Sequence, residues 1–471
     1  MFPIYVYIFL PILIFFLGWL KPYIGIPAAA VLLFCMYRLF VQCKKEKTLG
    51  VEIKYLSLGS VLAAGVLAWI SGAGAFGIQN EEHALYNAVL RLLIEGTGDK
   101  TLSYDIGFYL PAALAGKLFG RLAGEIVLLG WTFLGVVIVF YLIAKVTGKD
   151  KFWTVVLFAL FGGLDIVGVL LVKGTLADTP ITAYIEDWAG FFEFWGFTPA
   201  LLHGFDTCIS AWIITLLLIL QKDNKNVVFL WAAAIFMCPL PAVGMMPFVV
   251  LKLLKGRITD TGFFEKTPPE VCDKKTVTEN LKEAVTLNNI LGGLVVGILS
   301  AVYVFSRHVS LTFGIGRQRY MGVFFGTWMV FVLLEVGAYL WVMWKDNRKK
   351  TVYLVLLFTL ALLPLFRLGD TAEFGTEAAY PALLILFLMV LQTLENMHKT
   401  KEWLLLVILS VLLGIGVISS VKEMARTYNL ARERLYTKVS VRQDELSERK
   451  LTKLGVLEDS GDSFFGRYLE R

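Results

Sequence analysis

SGAGAFGIQNEEHALYNAVLRLLIE, residues Ser71–Glu95, follows an apolar run that ends at Ile70 and opens with a Gly-rich turn. Two adjacent carboxylates, Glu81 and Glu82, then arrive with His83, and the period becomes helical. Ala84, Leu85, Ala88, Val89, Leu92 and Leu93 share one face, with His83, Asn87 and Arg91 on the other. The pattern predicts a helix lying in a membrane interface just after a transmembrane segment. Asn80 stands at an N-cap position, which puts Glu82 in the first turn, where the helix dipole favours an ionised carboxylate. An acidic loop followed by a space-filling amphipathic helix fits the same letters equally well.

Working outward, composition sets the class. Of 471 residues, 57% are hydrophobic and only 17% charged, with mean hydropathy +0.69. Soluble domains carry about 25% charged residues, so the chain reads as an all-α polytopic membrane protein. The net charge of +6 says little, because in such proteins the distribution of charge decides orientation. The N-terminus, MFPIYVYIFL, has no basic region and no small-residue cleavage site, and reads as a first span. The five cysteines show no metal-ligand spacing and suggest no disulfide framework.

Apolar runs occupy about 2–19, 23–42, 55–73, 123–144, 153–172, 200–220, 227–254, 289–306, 323–343, 352–366, 378–395 and 403–420. Basic residues at 44–54, 145–151, 222–225, 345–350 and 399–401 orient them with the N-terminus in the cytoplasm. The run 227–254 is interrupted by Cys238-Pro239-Leu240-Pro241. As one span it would export the basic loop 255–286, so we read it as two short helices that return to the cytoplasm. That gives about 13 membrane segments in a domain 1–420. The loops 74–122 and 174–199 then lie outside, and a polar tail, 421–471, follows on that side. No phosphate-binding loop and no nucleic-acid motif is present, which argues against an ATP-driven pump.

Polar chemistry gathers in the outer segments. Tyr104, Asp105 and Tyr109 precede a short apolar helix in YDIGFYLPAALAGKLFG, and YIEDWAGFFEFWGF interleaves Glu186, Asp187, Trp188 and Glu193 with aromatics that could stack on a sugar. An interfacial aromatic belt is the plainer account of the second stretch. His203 and Asp206 lie one turn apart, and Asp165 falls mid-span, where ionisable residues are functional candidates. Arg307, His308, Arg317, Arg319 and Arg367 crowd short outer loops, where basic residues are scarce. Guanidinium groups there suit a lipid-linked phosphate, or equally the headgroups of the bilayer.

The motifs GAGAFGIQNEEHALYNAVLRLLIE, DIGFYLPAALAGKLFG, FGGLDIVG, YIEDWAGFFEF and GDTAEFGTEAAYPAL, in that order, resemble the GT-C superfamily of integral membrane glycosyltransferases, and within it a bacterial subfamily. The pattern departs in places. The subfamily has Asp where this chain has Glu82, and His where it has Tyr86. Its late Asn-Asp-Phe reads Ala372-Glu373-Phe374, and Glu377 replaces an Arg. The resemblance implies a GT-C-like bundle in a bacterial plasma membrane, its active site facing outside. It implies transfer of a sugar from a polyprenyl phosphate, with inversion, to an acceptor that the sequence does not identify. Glu82 would be the general base, Glu81 its partner or a metal ligand. His83, Asn87, Tyr109, Glu186, Trp188, His203, Arg307, Arg317, Arg319, Arg367 and Glu373 would line the substrate site. Whether a divalent metal cofactor helps the arginines stabilise the departing phosphate is left open. The alternative is a transporter or flippase of a lipid-linked glycan or other anion, suggested by the Pro-broken hairpin.

Overall fold

The computed structural model describes residues 1–148, 151–175, 179–180, 183–258, 276–306, 311–313, 321–369, 371–436, 446–459 and 464–471. Among the described residues it is mostly helical, and two short antiparallel pairs supply the sheet: Lys100–Leu102 with Leu457–Asp459, and Leu311–Phe313 with Phe366–Leu368.

Among the described residues seven helices are long and apolar enough to cross a membrane: Pro22–Lys45, Arg121–Thr147, Phe152–Lys173, Phe197–Leu220, Met321–Asn347, Tyr380–His398 and Trp403–Glu433. An eighth is reached if Val277–Ala284 and Asn288–Val304, bent by 70°, count as one span. The expected 13 or so segments are not reproduced, and the reason is helix length. The runs near 2–19, 55–73 and 352–366 become the shorter helices Phe2–Gly18, Leu58–Ile70 and Thr351–Leu365. Crossing the hydrocarbon core takes about 20 residues, and an apolar run counts residues that lie beyond the helix ends.

Phe197–Leu220 is the hub, with 94% of its span buried, against 28% for the peripheral Trp403–Glu433. An aromatic knot fixes it to its neighbours. Phe158 stacks on Phe197 at 4.3 Å between centroids and meets Trp212 edge-on at 5.1 Å, while Phe387 closes on Phe197 at 5.4 Å. Edge-to-face and offset contacts of this kind add attraction beyond simple burial.

The Pro-broken run folds as a hairpin of Val227–Met237 and Pro239–Lys255. At 11 residues the first arm is only about 17 Å long, too short to span. Trp231 donates to the Ala242 carbonyl across the turn at 2.8 Å. At the open end Asn224 donates to the Leu253 carbonyl at 3.3 Å and Asn280 to that of Leu254 at 2.9 Å, so the chain leaves where it entered. Pro239 sits at the helix start, where its missing N–H costs nothing. Gly244 lets the second arm touch the backbone of Ala378, space that a Cβ would fill.

A further expectation changes. Helix His83–Glu95 does not present its polar face to a headgroup layer, because His83 and Asn87 are 1% and 6% exposed. Hydrogen bonds to the Gly-rich turn draw that face inward. The last apolar run and the start of the polar tail form one helix, Trp403–Tyr436. The terminal segment packs back on the body. Phe465 is fully buried against Phe15 and Tyr303, and Leu20 bridges to Glu470.

Candidate functional site

Around Glu82 the geometry is built by the turn that precedes it. Gly72 adopts φ +73°, a left-handed conformation that glycine takes without strain, and a Cβ there would strike the His83 ring and the Ile78 carbonyl. The turn thus closes onto His83, whose Nε2 lies 2.8 Å from the Ser71 carbonyl. The helix starts at His83, with Glu82 rather than Asn80 at the N-cap position, and the Asn80 side chain accepts from the backbone N–H groups of Glu82 (3.1 Å) and His83 (3.3 Å) just ahead of it. Asn87 donates to Gln79 at 3.0 Å, and Gln79 donates to the Gly72 carbonyl. His83 and Asn87 therefore brace the loop and are closed to a ligand.

Glu82 projects from this brace with its side chain 43% exposed. Its Oε2 lies 2.9 Å from His203 Nδ1, and His203 Nε2 lies 2.8 Å from Glu423 Oε1. Two carboxylates on the two ring nitrogens are both satisfied only by the imidazolium, which donates from each. Arg426 Nη1 donates to the same Glu423 oxygen at 2.8 Å, and Thr427 donates to it at 3.2 Å. Rings of Trp195 and Tyr184 flank His203 at 5.1 and 5.8 Å, and Arg426 lies over the Tyr184 ring at 4.9 Å. Tyr86 donates to the His203 carbonyl, which clamps the hub helix to helix His83–Glu95. The site is an exposed carboxylate held by a buried Glu–His pair, assembled from three segments distant in sequence.

Glu423 is the member that sequence reading does not single out. In VKEMAR it sits among Lys422 and Arg426 and looks like part of a solvated helix face, yet it is 1% exposed.

Other candidates are placed elsewhere. Glu81 is exposed beside Glu82, and Glu373 is exposed with Thr371 at 3.4 Å. Tyr109 is fully buried, donating to Asp206 Oδ2 at 3.0 Å. Arg367 is 8% exposed, with its guanidinium donating to the Phe191 carbonyl at 3.0 Å and resting 4.8 Å over that ring. It serves the fold and is not displayed toward a phosphate. Glu186 and Trp188 are 1% and 9% exposed, because the segment 183–196 folds inward. Trp188 donates to Glu335 at 3.0 Å and packs on Gly168, so neither of its faces offers a sugar platform. Burial raises the Glu186 carboxyl well above its usual range, helped by the carboxylates of Asp165 and Glu335. Glu193 also rises through burial, opposed by hydrogen bonds from Tyr184 and Trp195. Arg307, Arg317 and Arg319 lie outside the described residues, as does His308.

Among the described residues no group of three or more His, Cys, Asp or Glu side chains is arranged to hold a metal ion. Comparison with protein families, with characterised proteins and with solved structures finds no match. Function must be argued from the chemistry of the site.

Proposed function

We propose that the chain is a membrane glycosyltransferase that moves a sugar from a polyprenyl phosphate to a hydroxyl acceptor, with Glu82 as general base. The observation that carries this reading is an accessible carboxylate, oriented by His203, at the edge of a site flanked by the aromatic rings of Tyr184 and Trp195. Glu82 takes the acceptor's proton as the hydroxyl oxygen bonds to the anomeric carbon. The bond from that carbon to the phosphate oxygen breaks, and the phosphate leaves with the electron pair. His203 is a positioning residue. Held between Glu82 and Glu423, it fixes the base in one rotamer. Arg307, Arg317 and Arg319 are the groups we assign to the phosphate, and Glu81 shares the rim with Glu82.

A single displacement inverts the anomeric centre. The product's configuration, read by NMR, is expected to be opposite to the donor's; a retained configuration would require a covalent intermediate and rule out Glu82 as a simple base. One feature favours a second reading as a transporter. Asp165, Glu186 and Glu335 place carboxyl groups deep in the bundle, two of them at helix irregularities. Flux of a lipid-linked anion without any glycoside product would select that reading.

A further inference from the structure

The helix Phe152–Lys173 is interrupted at residues 161–164 and resumes at Asp165, while Met321–Asn347 carries a wide turn over Leu333–Gly337. Such single-turn widenings recur at functional sites. The two irregularities meet. Glu335 lies against Gly163, where any Cβ would collide with its carboxylate, and its carboxyl stands beside that of Asp165. Glu186 approaches the pair from the segment 183–196 and is 1% exposed, as is Asp165.

The partners of this group are few. Ser419, from the helix Trp403–Tyr436 behind them, and Trp188 stand close to Asp165, but neither reaches it in good hydrogen-bonding geometry. Both oxygens of Glu186 and the Ser420 hydroxyl are likewise buried without a well-formed hydrogen bond. Trp188 supplies one donor, to Glu335. No ion pair joins any of the three carboxyls to a basic side chain among the described residues. The further charged and titratable groups facing them are Glu193, Glu423, Tyr184 and Tyr339. Glu423 is already committed to His203 and Arg426.

Three bare carboxylates cannot share such a place, since burying one uncompensated charge is costly and like charges add to the cost. Something positive must occupy it. The adjoining cavity, lined by Gly162, Gly163, Trp195, Gly196 and Glu335, measures about 10 Å³, room for no more than one water. A hydrated metal ion does not fit. A proton does, and it turns a carboxylate into the donor that its neighbour lacks.

We infer that Asp165, Glu186 and Glu335 form a proton-binding site within the bundle, separate from the rim site at Glu82, in which at least one carboxyl is protonated at neutral pH. Glu186 feels the charges of Asp165 and Glu335 and also those of Glu193 and Glu423, and Glu423 leads through His203 to Glu82. The site stands whether or not the chain transfers sugar.

Infrared spectroscopy of the full chain in lipid nanodiscs reads it directly. Expected is a protonated-carboxyl C=O band at neutral pH that shifts down in D2O. It should weaken in Asp165→Asn and in Glu335→Gln, and persist in Glu82→Gln. Size-exclusion profiles check that the variants fold. Should either not fold, Glu186→Gln supplies the variant whose band is compared with wild type, in H2O and D2O and with and without sodium. Absence of the band at neutral pH would overturn the inference. So would a band untouched by either folded variant, or one that appears only when sodium is withdrawn, which would make a metal cation the occupant.

Discussion

Gly72 and His83 show how single residues set the site. The left-handed turn at Gly72 brings the Ser71 carbonyl to His83 Nε2, and this fixes the start of the helix that carries Glu82. Gly72→Ala introduces a Cβ into a conformation that costs about 1–2 kcal/mol for L-residues, and drives it into the His83 ring. The variant is expected to unfold at lower temperature than wild type and to lose activity with it; an unchanged melting curve would mean that the turn relaxes freely. At this scale the sequence is informative where a residue type is out of place. Glu82, His203 and Asp165 stand out because carboxylates and histidines are rare beside apolar runs. Glu335, alone in the apolar run 323–343, meets the same rule but is not among the residues singled out from the sequence. Glu423 does not stand out, because its neighbours are charged and only tertiary packing distinguishes a buried glutamate from a solvated one.

Among elements, the breaks matter more than the helices. The turn at 71–82, the gap at 161–164 and the wide turn at Leu333–Gly337 each deliver a carboxylate to the interior or the rim. The segment 183–196 is the clearest case of misreading from sequence. Aromatics interleaved with acids suggest an exposed sugar platform, yet Trp188, Phe192 and Phe194 are buried and carry Glu186 in with them. Apolar rings drive the burial, and the carboxylate follows at an electrostatic cost. That cost has a sign. Glu186 binds its proton more tightly folded than unfolded, so the folded state holds more protons above the ordinary value of 4.5. Its contribution is fully present below that pH and is lost as pH rises through the folded-state value. The melting temperature is therefore expected to fall with rising pH over this window more steeply in wild type than in Glu186→Gln, which cannot ionise. Parallel pH profiles would contradict the buried placement of Glu186.

Over the whole molecule, the membrane class and the hairpin at Val227–Lys255 are legible because both follow from local rules, hydropathy and the missing N–H of proline. The number of spans is not, because helix ends depend on packing. Nor is the assembly of the rim site, which joins residues 82, 203 and 423 through long-range contacts around the hub helix Phe197–Leu220. The terminal segment closes the same fold, pairing Leu457–Asp459 with Lys100–Leu102 and burying Phe465. The central claim is that this assembly makes Glu82 a base for glycosyl transfer. It is tested by incubating the purified protein in lipid with a panel of radiolabelled polyprenyl-phosphate sugars and candidate hydroxyl acceptors, beside Glu82→Gln. The account predicts a labelled glycoside with wild type and a rate lower by about 10²–10⁴ in the variant, with donor binding retained. Transfer at an undiminished rate by Glu82→Gln, or no binding of any donor by wild type, would contradict it.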